Sequence, residues 1–211
     1  LARRLSLRAE GSGRILIVGS SPWTLELGRV LKDLKVDVLI ADTDWARLRP
    51  ARQQGLATWY GEILSEKAEE ALELDGVKVV LAATGNVAYN SMVCNHFAAE
   101  VGRNKVYQLT DADNSDESDR RRVAHARRGI SVFSRKVTFG TLWSNLIRDW
   151  KFQKTRVTEE FSGESIVKQL PEESIMVAVV SKEGRLDWIA EESPGLKVGD
   201  TLVSFVPPAQ V

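Results

Sequence analysis

Gly19-Ser20-Ser21-Pro22-Trp23-Thr24 follows a short apolar run, Ile15-Leu-Ile-Val18, and supplies a chain turn, two hydroxyls and a helix start in close succession. Such a turn is where an α/β protein meets a phosphate: the first N–H groups of the helix are unpaired, and its dipole favours an anion. In the dinucleotide fingerprint G-x-G-x-x-G, the first glycine makes the turn, the second admits a pyrophosphate to the backbone, and the third lets the helix pack closely. Only Gly19 is present here; Ser21 and Thr24 stand at the other two positions. Two readings stay open. Ser20 and Ser21 donate hydroxyl hydrogen bonds to a phosphate ahead of Pro22 and Trp23, or Ser21 simply caps a helix whose turn holds no ligand.

Asp42 lies about twenty residues beyond Gly19, the interval at which an acidic residue bonds ribose hydroxyls in this kind of site. It opens Asp42-Thr43-Asp44, and two carboxylates there disfavour a 2′-phosphate. Asp42 as loop punctuation and Asp44 as a helix cap are the structural alternatives. Gly61-Glu62 and Thr84-Gly85-Asn86 are further strand-end candidates for the same crevice, with Glu62 placed to accept from an amino group.

These residues come together only if a parallel sheet sets them along one edge. Strand-like runs at 15–18, 36–41, 56–60, 78–83, 105–109 and 130–133 alternate with helical stretches at 22–34, 45–54, 65–74, 87–101 and 117–128. That alternation predicts a doubly wound, Rossmann-like α/β sheet of about six parallel strands. Phe139, Leu142, Trp143, Leu146, Ile147 and Trp150 then recur at helical spacing, so a connecting helix is expected over 138–153. Beyond it, strand-like runs at 157–161, 174–181, 185–189 and 201–206, with a turn at Glu183-Gly184, indicate a small β-rich α+β module. The expected units are 1–12, 13–137, 138–153 and 154–211.

Composition narrows the field. The chain has 211 residues, 43% hydrophobic and 27% charged, an ordinary globular mix. Twenty-nine basic residues balance 29 acidic ones, so no global field draws in nucleic acid. One cysteine and two histidines cannot build a Cys/His metal cluster. The longest apolar run, Ile175 to Val180, falls far short of the roughly 20 residues of a membrane helix. His96, on an apolar helix without a catalytic companion, reads as structural, and Cys94 as packing. Arg120, Arg121, Arg122, Arg127 and Arg128 around His125 form either a solvated helix face or a dock for an anionic surface. Trp143 and Trp150 bury against a second copy or between the two modules.

Arg14-Ile-Leu-Ile-Val-Gly19, Val38-Leu-Ile-Ala-Asp-Thr-Asp44, Tyr60-Gly-Glu62, Leu81-Ala-Ala-Thr-Gly-Asn86 and Asn90 resemble the RCK (KTN, or TrkA-N) nucleotide-binding domain of prokaryotic potassium channels and cation transporters. Ser20-Ser-Pro-Trp23, Asp44-Trp45 and Trp59-Tyr-Gly-Glu-Ile-Leu-Ser65 more narrowly resemble the cytosolic tail of bacterial sodium/proton antiporters. Leu170-Pro171, Ile175 to Val180, Glu183-Gly-Arg185, Val198-Gly-Asp200 and Phe205-Val-Pro-Pro208 are similar to the TrkA-C module. The resemblance implies a non-enzymatic regulatory region that binds an adenine nucleotide, NAD(H) or AMP, ADP or ATP, pairs as a homodimer and controls Na+ or K+ transport. By position it implies Gly19 and its turn at phosphate, Asp42 and Asp44 at ribose, and Glu62 with Thr84 to Asn86 on the base side. Residues 1–12 would then be a linker from an upstream membrane portion of the same polypeptide, at the cytoplasmic face of the bacterial inner membrane. The competing readings are a nucleotide-free assembly domain and a small NAD-dependent oxidoreductase.

Overall fold

Strand β1 (Arg14–Val18) carries no polar alternation because both of its faces are covered. Ile15 and Ile17 enter one core and Leu16 and Val18 the other, as the two-residue period of a strand requires. β2 (Val38–Asp42) divides in the same way, with Val38 and Ile40 on one side and Leu39 and Ala41 on the other. The computed structural model describes residues 13–71, 76–110, 128–134, 137–190 and 195–209. The expected linker over 1–12 and the expected helix over 117–128, with His125 and the arginine cluster up to Arg127, lie outside the described residues.

Helices α1 (Pro22–Asp33), α2 (Trp45–Gln53), α3 (Glu66–Ala71) and α4 (Val87–Val101) alternate with β3 (Ala57–Tyr60), β4 (Val77–Ala82), β5 (Val106–Gln108) and β6 (Ile130–Ser131). The six strands pair in parallel in the order β3-β2-β1-β4-β5-β6. α1 and α2 bring Leu27, Leu31, Leu48 and Ala51 to one face of the sheet; α3 and α4 bring Ala68, Val93, Cys94 and Phe97 to the other. This is the doubly wound arrangement expected from the alternation. Strand order reverses between β1 and β4, so the connections leaving their carboxyl ends run to opposite faces of the sheet and leave a crevice between them.

The connecting segment departs from expectation. Helix α5 spans Phe139–Ile147 and stops well short of residue 153. Asp149 adopts a left-handed φ of 62°, and the Trp150 N–H returns to the Asn145 carbonyl, which closes the helix. Lys151–Arg156 is then strand β7, held antiparallel to β10 (Thr201–Val206), with Phe152 stacked on Phe205 at 4.6 Å between centroids. The strand expected over 157–161 is a loop, followed by a short helix, α6 (Gly163–Gln169), started by the Ser162 hydroxyl accepting the Ser165 N–H. β8 (Ile175–Val180) and β9 (Leu186–Trp188) complete a second sheet of order β7-β10-β8-β9, and the turn at Glu183-Gly184 joins them, with Gly184 at φ 82°. The strand expected over 130–133 ends at Ser131, because Phe133 and Ser134 take left-handed φ values and donate their N–H groups to Ile189 and Ala190.

The two sheets share one core. The cluster containing Ile17, Trp23 and Leu27 continues through Trp150, Val177, Trp188 and Phe205. Trp150 is thus buried internally, which decides between the two placements of that side chain. Across the seam, Lys154 of β7 donates to Asp33 of α1 at 3.0 Å, and this bond and charge hold the Asp33 carboxyl below its usual ionisation range.

Candidate functional site

At the carboxyl end of β1, Gly19 takes φ 107°, a conformation that costs a side chain strain. A Cβ there would lie 2.9 Å from the Thr84 methyl and 3.1 Å from the Ala83 carbonyl carbon. The glycine is therefore required twice, for the turn and for the close approach of β1 and β4. The turn leads directly into α1, with Ser21 as N-cap and Pro22 at the first helical position.

Most of its backbone donors are already engaged. The Ser20 N–H donates to Asp42 Oδ2 at 2.7 Å, and the Ser21 N–H to Thr24 Oγ1 at 2.8 Å. Thr24 in turn donates its own N–H to Ser21 Oγ, completing a reciprocal capping box, and Pro22 has no N–H. The Thr24 hydroxyl proton lies within reach of the Gly19 and Ser21 carbonyls, and the Ser20 hydroxyl donates to the Arg47 carbonyl at 2.8 Å. Ser21 and Thr24, standing where a dinucleotide fingerprint has glycines, thus consume the donors that would cradle a pyrophosphate. Trp23 does not face the crevice: it is 1% exposed and packs edge-on to Phe139 within the core.

Asp42 ends β2 as anticipated. Besides the Ser20 N–H, its other oxygen accepts the Asp44 N–H at 2.8 Å, so the carboxylate ties the β1 turn to the β2 turn. Each carboxylate oxygen keeps further acceptor capacity. Asp44 caps α2 by accepting the Ala46 N–H at 2.8 Å and pairs with Arg47 Nε at 3.4 Å, while Thr43 stands exposed between the two acids. Gly61, at φ 139°, donates its N–H to the Asp42 carbonyl. Glu62 accepts from the Leu64 N–H and from the Tyr89 hydroxyl; burial, and then this bond, push Tyr89 ionisation well above the usual tyrosine range. On the β4 side, the Thr84 N–H and hydroxyl both donate to Asn90 Oδ1, and Asn86 caps α4 by accepting the Tyr89 N–H.

A cleft of about 680 Å³ opens beside the turn, within the size range of small-molecule sites. Ser20, Ser21 and Pro22 form one wall, Leu25 of α1 with Arg47 and Pro50 of α2 another, and Gly85 with Phe139, Gly140, Trp143 and Ser144 of α5 the third. Of the residues singled out from sequence, Ser20, Ser21, Pro22 and Gly85 meet there. Gly19, Asp42, Thr43, Asp44, Gly61, Glu62, Thr84 and Asn86 are not part of that lining. The contributions of Arg47, Pro50 and α5 are additions, and the available signal was the pairing of large and small residues at Phe139-Gly140 and Trp143-Ser144. His96 has a neighbour after all, with Nε2 lying 3.3 Å from Glu69 Oε1. Among the described residues no group of three or more His, Cys, Asp or Glu is arranged to hold a metal, and no helix is long and apolar enough to cross a membrane.

A parallel sheet of this order, with a glycine turn after β1 and an acid ending β2, defines a Rossmann-type crevice. Residues 15–132 match the TrkA-N domain, and the chain belongs to that family. No curated protein matches the chain. Among solved structures it is similar to the TrkA-N domain of the inner membrane protein ybaL from Escherichia coli, at 13% identity and a TM-score of 0.47, over 66% of this chain and 97% of that one. It is also similar to the GsuK RCK domain, at 15% identity and a TM-score of 0.46 over 94% of this chain and 46% of that one. The GsuK channel bound to NAD aligns at 13% identity and a TM-score of 0.43, over 93% of this chain and 36% of that chain. The chain therefore spans less than half the length of either GsuK chain.

Proposed function

We propose that this chain is the cytosolic, adenine-nucleotide-sensing region of a bacterial cation/proton antiporter, acting by binding rather than catalysis and governing Na+ or K+ movement by a membrane portion of the same polypeptide. The observation that carries the reading is Asp42: in a TrkA-N chain, at the end of β2, it is hydrogen-bonded to the turn that opens the switch-point crevice and keeps acceptor capacity for ribose hydroxyls. Glu62 and Thr84 to Asn86 flank it on neighbouring strand ends for the base. The antiporter assignment rests on the resemblance carried by Ser20 to Trp23, Asp44-Trp45 and Trp59 to Ser65. With the turn amides engaged by Asp42 and Thr24, a nucleotide that does not need a pyrophosphate cradle, such as AMP, suits the site better than NAD(H). Regulation requires that the nucleotide bind one arrangement of a homodimer more tightly than another. The region would work at the cytoplasmic face of the inner membrane.

Isothermal titration calorimetry of the 211-residue chain with AMP, ADP, ATP, NAD and NADH tests the reading. Saturable binding of at least one of these is expected; absence of heat for all of them at millimolar concentration would overturn the sensing role. The same closed turn favours one rival, a nucleotide-free assembly domain. That rival predicts no binding, a dimer by light scattering, and transport regulation unchanged by Asp42→Ala in the full transporter.

A further inference from the structure

Helix α5, which connects the two sheets, presents two different sides. Leu142 and Leu146 turn inward to the shared core, Gly140, Trp143 and Ser144 line the cleft, and Phe139 does both, packing on the core and lining the cleft. Residues four apart share a helical face, so the large pair Phe139 and Trp143 stands beside the small pair Gly140 and Ser144. The two rings stack at 6.2 Å and 21°, and Trp143 remains 40% exposed. Gly85 adjoins this wall: a Cβ there would lie in ordinary contact with the Phe139 ring, at 3.5 Å.

Arg47 lines the same cleft. It is the sole charged residue lining the cleft among the described residues, and no carboxylate lines it. Its Nε is directed to Asp44, which leaves the terminal nitrogens to form the planar fork that grips an anion. The backbone beneath it is anchored to the β1 turn through the Ser20 hydroxyl. Stacked rings, small residues that leave space, and one cation in the same cleft together specify an occupant: flat, aromatic and anionic.

We infer that α5 completes a binding site for a planar aromatic anion, with Phe139 and Trp143 against its ring system and Arg47 on its anionic group. This inference does not rest on the proposed placement of ribose at Asp42 and base beside Glu62: AMP is one planar aromatic anion, and in this cleft its base would lie on Phe139 and Trp143 and its phosphate on Arg47. Occupancy would then act on α5, the element that leads into β7 and the second sheet.

The test uses the full 211-residue chain, with AMP and 8-anilinonaphthalene-1-sulfonate as separate probes, and the variants Arg47→Gln, Arg47→Lys and Trp143→Leu. Both residues are exposed, and circular dichroism melts confirm that the variants fold. One saturable site is expected, with Kd raised about tenfold by Arg47→Gln and by Trp143→Leu, and recovered in part by Arg47→Lys. Binding of the sulfonate with these losses but no binding of AMP would sustain the site and count against the nucleotide reading. Binding of AMP with a Kd unchanged in Arg47→Gln and Trp143→Leu would leave nucleotide sensing in place and overturn this inference. Failure of the wild-type chain to bind either probe saturably would overturn it as well.

Discussion

Thr24 offers the sharpest test of how the turn after β1 is built, because valine copies its shape without its hydroxyl. Thr24 is fully buried and Ser21 nearly so, and the Thr24 hydroxyl accepts the Ser21 N–H at 2.8 Å. In Thr24→Val that buried N–H loses its partner, at a cost of about 1–3 kcal/mol. Of the two carbonyls near the hydroxyl proton, that of Ser21 still accepts the Leu25 N–H at 3.0 Å. A central estimate is about 2 kcal/mol, which in a chain of this length lowers Tm by roughly 4–8 °C. Differential scanning calorimetry measures it directly. Because Ser21 lines the cleft, the freed N–H also becomes available to an anion, so added phosphate should raise the Tm of the variant more than that of the wild type. A melting point within about 1 °C of wild type would refute the claim that this hydroxyl closes the turn. Equal phosphate effects on the two proteins would refute the claim that it masks an anion-binding donor.

Gly19→Ala must place a Cβ 2.9 Å from the Thr84 methyl at φ 107°, so urea denaturation should show a loss of about 1–3 kcal/mol. Phe205→Ala removes the ring that Trp150 and Phe152 pack upon at the seam of the shared core, costing about 3–5 kcal/mol. Tryptophan fluorescence and circular dichroism should still report one coincident unfolding transition in that variant; separate transitions would show that the two sheets do not share a core. Burial pushes the Cys94 thiol up to about 12, against opposing hydrogen bonds from the Gly129 and Ala82 backbone. Ellman's reagent at pH 8 should therefore react only as the chain unfolds. The native thiol keeps its proton to about pH 12 while an unfolded one loses it near pH 8.5, so this group's contribution to stability declines as pH rises through that window.

Much of the first sheet was legible because its signals are local. A four-residue apolar run closed by glycine, a proline behind a serine cap, and an acid at the end of the next apolar run are each set by neighbours within one element. Where sequence reading went astray, a distant partner had overruled local preference. Helical spacing through Trp150 is real, yet Trp150 and Phe152 gain more by packing on Phe205, about fifty residues away, than by extending α5. Lys151 to Arg156 has little apolar character of its own and becomes a strand because β10 offers it a free edge.

The site divides along the same line. Sequence alone determined that a glycine turn and an acid would stand at adjacent strand ends, since the order of elements and the right-handed crossover leave little choice. Only the tertiary structure decided what those groups do for one another: Asp42 at the end of β2 reaches the Ser20 N–H of the β1 turn and withdraws that donor from a phosphate, beside the Ser21 N–H that the local capping box with Thr24 already engages. It also brought Arg47 into the same cleft as Phe139 and Trp143. Hydrogen bonding and ring packing are short-range forces, whereas Ser20 and Asp42, and Trp23 and Phe139, are far apart along the chain, and only the folded sheet and its helices bring them within reach.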